Sequence, residues 1–224
     1  MKVETIDISG RECWLYHQAG AEYLLIQPVD EHDVSLLNKE VDIICQLTDK
    51  TFSLVAFKVN AWNKELAPWV APPVFDKEPF GNGAVETLGY ITEELLPYLR
   101  VHGMDAKHVL LGCYSLAGLF ALWSGYQTDV FESIAAASPS VWYPGWIEMA
   151  ADYIPMAKSV YLSLGDKEEK TKNPMMAQVG NAIRKMHELL LSQGIDTVLE
   201  WNPGNHFVDS DKRMVKGFVW LMNK

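Results

Sequence analysis

Apolar residues in this chain alternate between short extended runs and longer stretches with three- and four-residue spacing. That alternation restricts the fold to a mostly parallel sheet covered by helices on both faces. Runs at 3–8 and 12–16 flank Ser9-Gly10, a pair suited to a tight turn, and predict an opening antiparallel hairpin. Residues 23–26 and 52–59 read as buried strands, with a short helix from about Val34 between them. Over 84–101, Val85, Leu88, Ile91, Leu95 and Leu99 share one helical stripe, and Pro97 is placed to kink it. Further strands are predicted at 109–113, 133–137, 159–164 and 197–201, and helices at 116–126, 174–192 and 211–222. The last helix is expected to bury Val215, Phe218, Val219 and Met222, with Asp209 and Ser210 as cap candidates.

With 224 residues, 49% of them hydrophobic, the chain can bury one core, and 1–224 is read as a single domain. Nineteen Lys+Arg against 29 Asp+Glu give a formal net charge of -10, which repels phosphate backbones and anionic lipid heads, so neither nucleic acid nor membrane is an expected partner. No apolar run approaches the roughly 20 residues that span a bilayer, and the opening MKVETIDISG lacks the apolar block of a signal peptide, so a cytoplasmic location is expected. Cys13, Cys45 and Cys113 are odd in number and unpaired by spacing, which predicts free thiols. No cluster has metal-ligand spacing, so no metal is expected. The segment 60–83 is long and rich in Pro, Trp and Gly. Trp62, Trp69, Phe75 and Phe80 in it predict an ordered active-site loop or lid.

Chemistry is concentrated in three places. Leu110-Leu111-Gly112-Cys113-Tyr114-Ser115-Leu116-Ala117-Gly118 joins an apolar strand to an apolar helix through small residues around one serine. A sharp strand-to-helix turn there lifts the serine oxygen above the sheet and needs small residues two positions either side, here Cys113 and Ala117. A helix-capping serine is the alternative. A serine hydroxyl is a poor nucleophile at neutral pH and needs a histidine base oriented by an acid. Gly165-Asp166-Lys167-Glu168-Glu169 follows one predicted strand and Pro203-Gly204-Asn205-His206-Phe207 follows the last, so all candidates lie past carboxyl ends of strands. His102 and His108 precede the strand at 109–113 and lie about 17 Å from Ser115 at its opposite end. His187 is within a helix and His17 ends the hairpin, which leaves His32 as the one rival to His206. Glu168 is the preferred acid and Asp166 its substitute. Leu116 N–H supplies one oxyanion donor, and Gln27 or Val29 the second, since Pro28 has no N–H.

Residues 112–123 (GCYSLAGLFALW), 131–143 (FESIAAASPSVWY), 160–168 (VYLSLGDKE) and Asn205-His206-Phe207 together resemble the esterase family of α/β-hydrolases that contains esterase D and the enterochelin-type esterases. The resemblance covers most of the chain. It implies an α/β-hydrolase fold, Ser115 as nucleophile, His206 as base and an acidic residue near Glu168. The chain departs from that pattern at Cys113 and Ala117, where the family usually has glycine, and at Gln27-Pro28, where a glycine-containing turn is usual. Trp62, Trp69, Trp142 and Tyr114 are expected to form an aromatic cleft. The reading is a cofactor-free carboxylic ester hydrolase acting on a small or aromatic ester, with short acyl groups favoured because 60–83 roofs the cleft. A homodimer is compatible with it. Alternatives are a thioesterase or acyltransferase with the same triad, and a catalytically weak hydrolase-like binding module.

Overall fold

The computed structural model describes residues 1–74 and 78–224. Phe75, expected to help order the long loop, lies outside them. Strands β1 (Val3–Ile8) and β2 (Arg11–Tyr16) form the opening hairpin, with both turn residues left-handed, Ser9 at φ 50° and Gly10 at φ 83°. That two-residue turn matches the twist of the paired strands. Then follow β3 (Tyr23–Val29), α1 (Glu31–Val34), α2 (Leu37–Leu47), β4 (Phe52–Lys58), α3 (Trp62–Glu65), α4 (Ala84–Gly89), a π-helical segment (Tyr90–Leu95) and α5 (Leu96–Val101). The second half comprises β5 (His108–Tyr114), α6 (Ser115–Gln127), β6 (Ser133–Ala137), α7 (Trp146–Asp152), β7 (Ser159–Gly165), α8 (Val179–Ser192), β8 (Asp196–Asn202) and α9 (Ser210–Met222).

The sheet order is β1-β2-β4-β3-β5-β6-β7-β8. Pairing is antiparallel from β1 through β2 to β4 and parallel from β4 onward. All the parallel strands therefore deliver their carboxyl ends to one edge. Helices α2 and α9 cover one face through Val41, Ile44, Met214 and Phe218. The segment from α4 to α5, with α6 and α8, covers the other through Leu88, Ile91, Leu119, Phe120, Ile183 and Leu190. Helix α6 is buried almost all round, as its uninterrupted apolar sequence requires.

Four local expectations change. Strand β3 runs through Pro28 because its pairing with β5 ends at Ile26, so no ladder hydrogen bond on that side is lost to the missing N–H. At Pro97 the helix does not break. The turn before it widens, with Leu96 N–H donating to Ile91 O, and this makes room for the proline ring. Val85 is 60% exposed and Ala84 takes the buried position. In α9, Val219 is half-buried while Arg213, Gly217 and Leu221 are buried.

Beneath the sheet, Glu40 of α2 is buried and its Oε1 has no hydrogen-bond partner among the described residues; nor does Gln27 Oε1. Burial, against a long 3.4 Å contact from Gln27 Nε2 and with Asp33 and Asp211 nearby, pushes the Glu40 carboxyl up to about 8. Rotating the Gln27 amide by half a turn puts its oxygen where a protonated Glu40 donates to it. The folded state thus holds a proton that the unfolded chain releases near 4.5, and Glu40 removes stability as pH rises from 4.5 to about 8. Glu40→Gln is expected to melt higher than wild type at the upper end of that window, the gain vanishing at its acid end, as followed by thermal unfolding across pH.

Candidate active site

The turn from β5 into α6 places Ser115 at φ 58°, between Tyr114 in extended backbone and the first turn of the helix. A non-glycine residue there is strained by about 1–3 kcal/mol, so the surroundings must hold it. Ser115 O accepts from Ser140 N–H at 3.0 Å. Cys113 and Ala117 are fully buried. The tightest space is one step further out. A Cβ on Gly112 would lie 2.2 Å from Phe218 Cζ, and one on Gly118 would lie 3.1 Å from Pro139 Cα. Gly112→Ala is therefore expected to cost about 1–3 kcal/mol through displacement of Phe218, read as a lowered midpoint in denaturant.

His206, on the loop between β8 and α9, brings Nε2 to 3.0 Å from Ser115 Oγ and Nδ1 to 2.7 Å from Glu168 Oε2. Glu168 opens a short 3₁₀ turn after β7 and is 8% exposed. Its Oε1 accepts from Gly165 N–H, Ser138 Oγ and Arg213 Nη1, each at 2.7 Å. Burial alone would raise the Glu168 carboxyl, but the hydrogen bond and charge of His206, with Ser138 and Gly165, hold it below the ordinary glutamate value. Asp166 faces elsewhere: its Oδ1 accepts from Gly204 N–H at 2.8 Å and ties the two loops together. Glu169 pairs with Arg184.

Arg213 of α9 was not among the expected residues. It is 1% exposed. Nη1 donates to Glu168, to Ser138 Oγ (2.8 Å) and to Tyr114 Oη (3.1 Å), and Nη2 to Asn205 O (3.0 Å) and Pro203 O (3.3 Å). Tyr114 Oη in turn donates to His206 O at 2.7 Å. Arg213 shares the i, i+4, i+8 row with Gly217 and Leu221, and an arginine on a buried stripe is the signal that could have found it.

Leu116 N–H follows Ser115 at the helix start. Gln27 is corrected by strand parity. Tyr23 N–H donates to Thr51 O and Val29 O accepts from Val59 N–H, both on the β4 side, so the odd residues of β3 point their backbone groups toward β4. Gln27 and Val29 thus turn their N–H groups away from β5 and Ser115. Asp30, still extended at φ -100°, carries the next N–H on the β5 side, in a long 3.4 Å contact with Asp33 Oδ2. Asp33 is pushed up to about 6 by burial and then by the charge of Asp30.

A cavity of about 380 Å³ reaches Ser115 and His206 and is lined by Tyr114, Trp62 and His32 among others. Trp142 lines a smaller one on the other side of Ser115. Trp69, expected in the cleft, lines neither. Its indole N–H donates to Pro144 O at 2.8 Å and its ring packs on Tyr143, while Phe80 packs on Trp142 and Tyr143. Among the described residues of 60–83, Trp62 reaches the larger cavity, and Trp69 and Phe80 brace the segment after β6. Cys113 is buried with its thiol pushed well above the ordinary range, which suits packing and not nucleophilic attack. No cluster among the described residues could hold a metal ion, and no helix there is long and apolar enough to cross a membrane.

The sequence matches neither a protein-family model nor a curated protein. Solved structures do match. The chain superimposes on an IroE-like serine hydrolase from Shewanella oneidensis with a TM-score of 0.81 at 14% identity, covering 99% of this chain and 80% of that one. The fold is that of the α/β-hydrolases. Within this α/β-hydrolase fold the chain is also similar to siderophore hydrolase EstA from Aspergillus nidulans, with a TM-score of 0.70 at 16% identity over 99% of this chain and 94% of that one. Another similar structure is the enterobactin esterase FES from Shigella flexneri, with a TM-score of 0.73 at 16% identity over 100% of this chain and 60% of that one.

Proposed function

We propose that the chain is a serine hydrolase that cleaves a small-molecule carboxylic ester through an acyl-enzyme on Ser115. The carrying observation is the hydrogen-bonded run from Ser115 Oγ through His206 to Glu168 at the carboxyl edge of the sheet. Its length suits a base within reach of the proton it removes. His206 Nε2 takes the serine proton as Oγ attacks the ester carbonyl, then gives it to the departing alcohol oxygen. Glu168 holds Nδ1–H and so fixes the tautomer that leaves Nε2 free to accept. Leu116 donates its N–H to the developing oxyanion, and Asp30 N–H, released from its long bond to Asp33 Oδ2, is the second donor in the role expected of Gln27. Water then repeats the sequence and releases the acid. Solved neighbours named as serine hydrolase, siderophore hydrolase and enterobactin esterase support hydrolytic chemistry on this scaffold. The three free thiols support a reducing compartment, the cytoplasm.

Methanol partitioning tests the intermediate. With phenyl and 4-nitrophenyl esters of one acid, the ratio of methyl ester to free acid is expected to be the same, because both substrates pass through one acyl-enzyme. A ratio that follows the leaving group would mean direct attack by water and would exclude the acyl-serine.

A further inference from the structure

Two cavities meet at Ser115 and His206, and they differ in size and in how buried their linings are. The larger, about 380 Å³, has no buried residue in its lining, and His32 and Phe207 on its rim are exposed. The smaller, about 30 Å³, lies beyond Ser115 toward β6 and β7, where Ser138, Ser140, Glu168 and Val179 are buried and Trp142 and Met176 half-buried. Its volume is less than a tenth of the larger cavity's.

We infer that the small cavity is the acyl site and that the enzyme is selective for esters of short acids with larger alcohols, a conclusion that rests on the serine-hydrolase reading. Besides the oxyanion, the scissile carbon bonded to Ser115 Oγ carries two substituents, the acyl chain and the alcohol oxygen, and the two cavities offer one place for each. In acylation the bond to the alcohol oxygen breaks, and that oxygen leaves with the proton held on His206 Nε2. In deacylation a water oxygen bonds to the same carbon from the vacated side, gives its proton through His206 to Ser115 Oγ, and the short-chain acid departs. Alcohol exit and water entry both need a path to solvent, which the larger cavity provides. The acyl group stays through both steps and occupies the narrower side.

Met176 and Val179 set the limit differently. Met176 sits in a short turn before α8 and has three rotatable bonds with which to yield. Val179, the first residue of α8 and 5% exposed, is β-branched and stiff. The limit on acyl length therefore lies chiefly with Val179. It has a different basis from a roof formed by 60–83.

Two isomeric esters, hexyl acetate and methyl heptanoate, separate the possibilities, with 4-nitrophenyl acetate, butyrate and hexanoate as a graded series. Hexyl acetate is expected to exceed methyl heptanoate in kcat/KM by about 100-fold, since each misfitted methylene in a closed pocket is worth about tenfold or more. Val179→Ala is expected to lower the acetate-to-butyrate ratio by about tenfold while acetate turnover shows the variant folded, and Met176→Ala to lower it less. Preference for methyl heptanoate would overturn the assignment by placing the alcohol in the small cavity. So would a flat chain-length profile, or a ratio unmoved in both variants. In those cases the hydrolase reading survives, because esters are still cleaved; failure to cleave any of the five would remove both.

Discussion

Ester hydrolysis is expected to fall by about 10⁴–10⁶-fold in Ser115→Ala. The substitution removes one oxygen whose hydrogen-bond partner among the described residues is His206 Nε2, so the expected change in folding stability is within about 1 kcal/mol. Loss of turnover with an unchanged melting temperature separates a chemical role from a structural one. His206→Ala should fall to a similar floor, and the double variant should fall no further, because a nucleophile without its base and a base without its nucleophile are equally idle. Measurement of kcat/KM on an aryl acetate for the three variants checks this. Activity of Ser115→Ala within tenfold of wild type would exclude the acyl-serine.

Arg213→Met is expected to cost about 3–5 kcal/mol of stability, the range for removing one partner of a buried ion pair. Glu168 would lose its guanidinium partner, and the carbonyls of Pro203 and Asn205 would lose their donors. Those carbonyls belong to the loop that carries His206, so turnover should fall along with the melting point. For a domain of this size the shift is roughly 10 °C. Arg213→Lys keeps the charge but not the planar fork, and should recover part of the stability while leaving His206 poorly held. A melting temperature for Arg213→Met within a degree or two of wild type would show that the arginine is not what holds the two loops together.

Much of the architecture could be read from residue order because parallel strands buried on both faces carry near-continuous apolar runs that contrast with the helical stripes between them. Ser115 and His206 were legible for a related reason: each directly follows a strand, and strands of a parallel sheet end on one edge. The choice of Glu168 over Asp166 was legible only as a preference, since two carboxylates two residues apart differ only in how a short 3₁₀ turn aims them. Asp166 is taken by Gly204 N–H and Glu168 by His206. Arg213 was hidden because arginine is ordinarily exposed, and only tertiary placement beside Glu168 makes its burial tolerable. Gln27 was expected to donate to the oxyanion because strand parity, which depends on which neighbour each side of β3 pairs with, is not readable from the sequence. Trp69 went astray because an aromatic residue in a loop gives no indication of whether its ring faces a cleft or braces an adjoining segment.

Mass spectrometry of the folded protein after exposure to a fluorophosphonate tests the central claim most directly. The reagent reacts with a serine only when a neighbouring base activates it and donors receive the phosphoryl oxygen. One adduct is expected, on the peptide containing Ser115, and none on His206→Ala. An unmodified wild-type protein, or an adduct on another residue that persists in His206→Ala, would contradict the account.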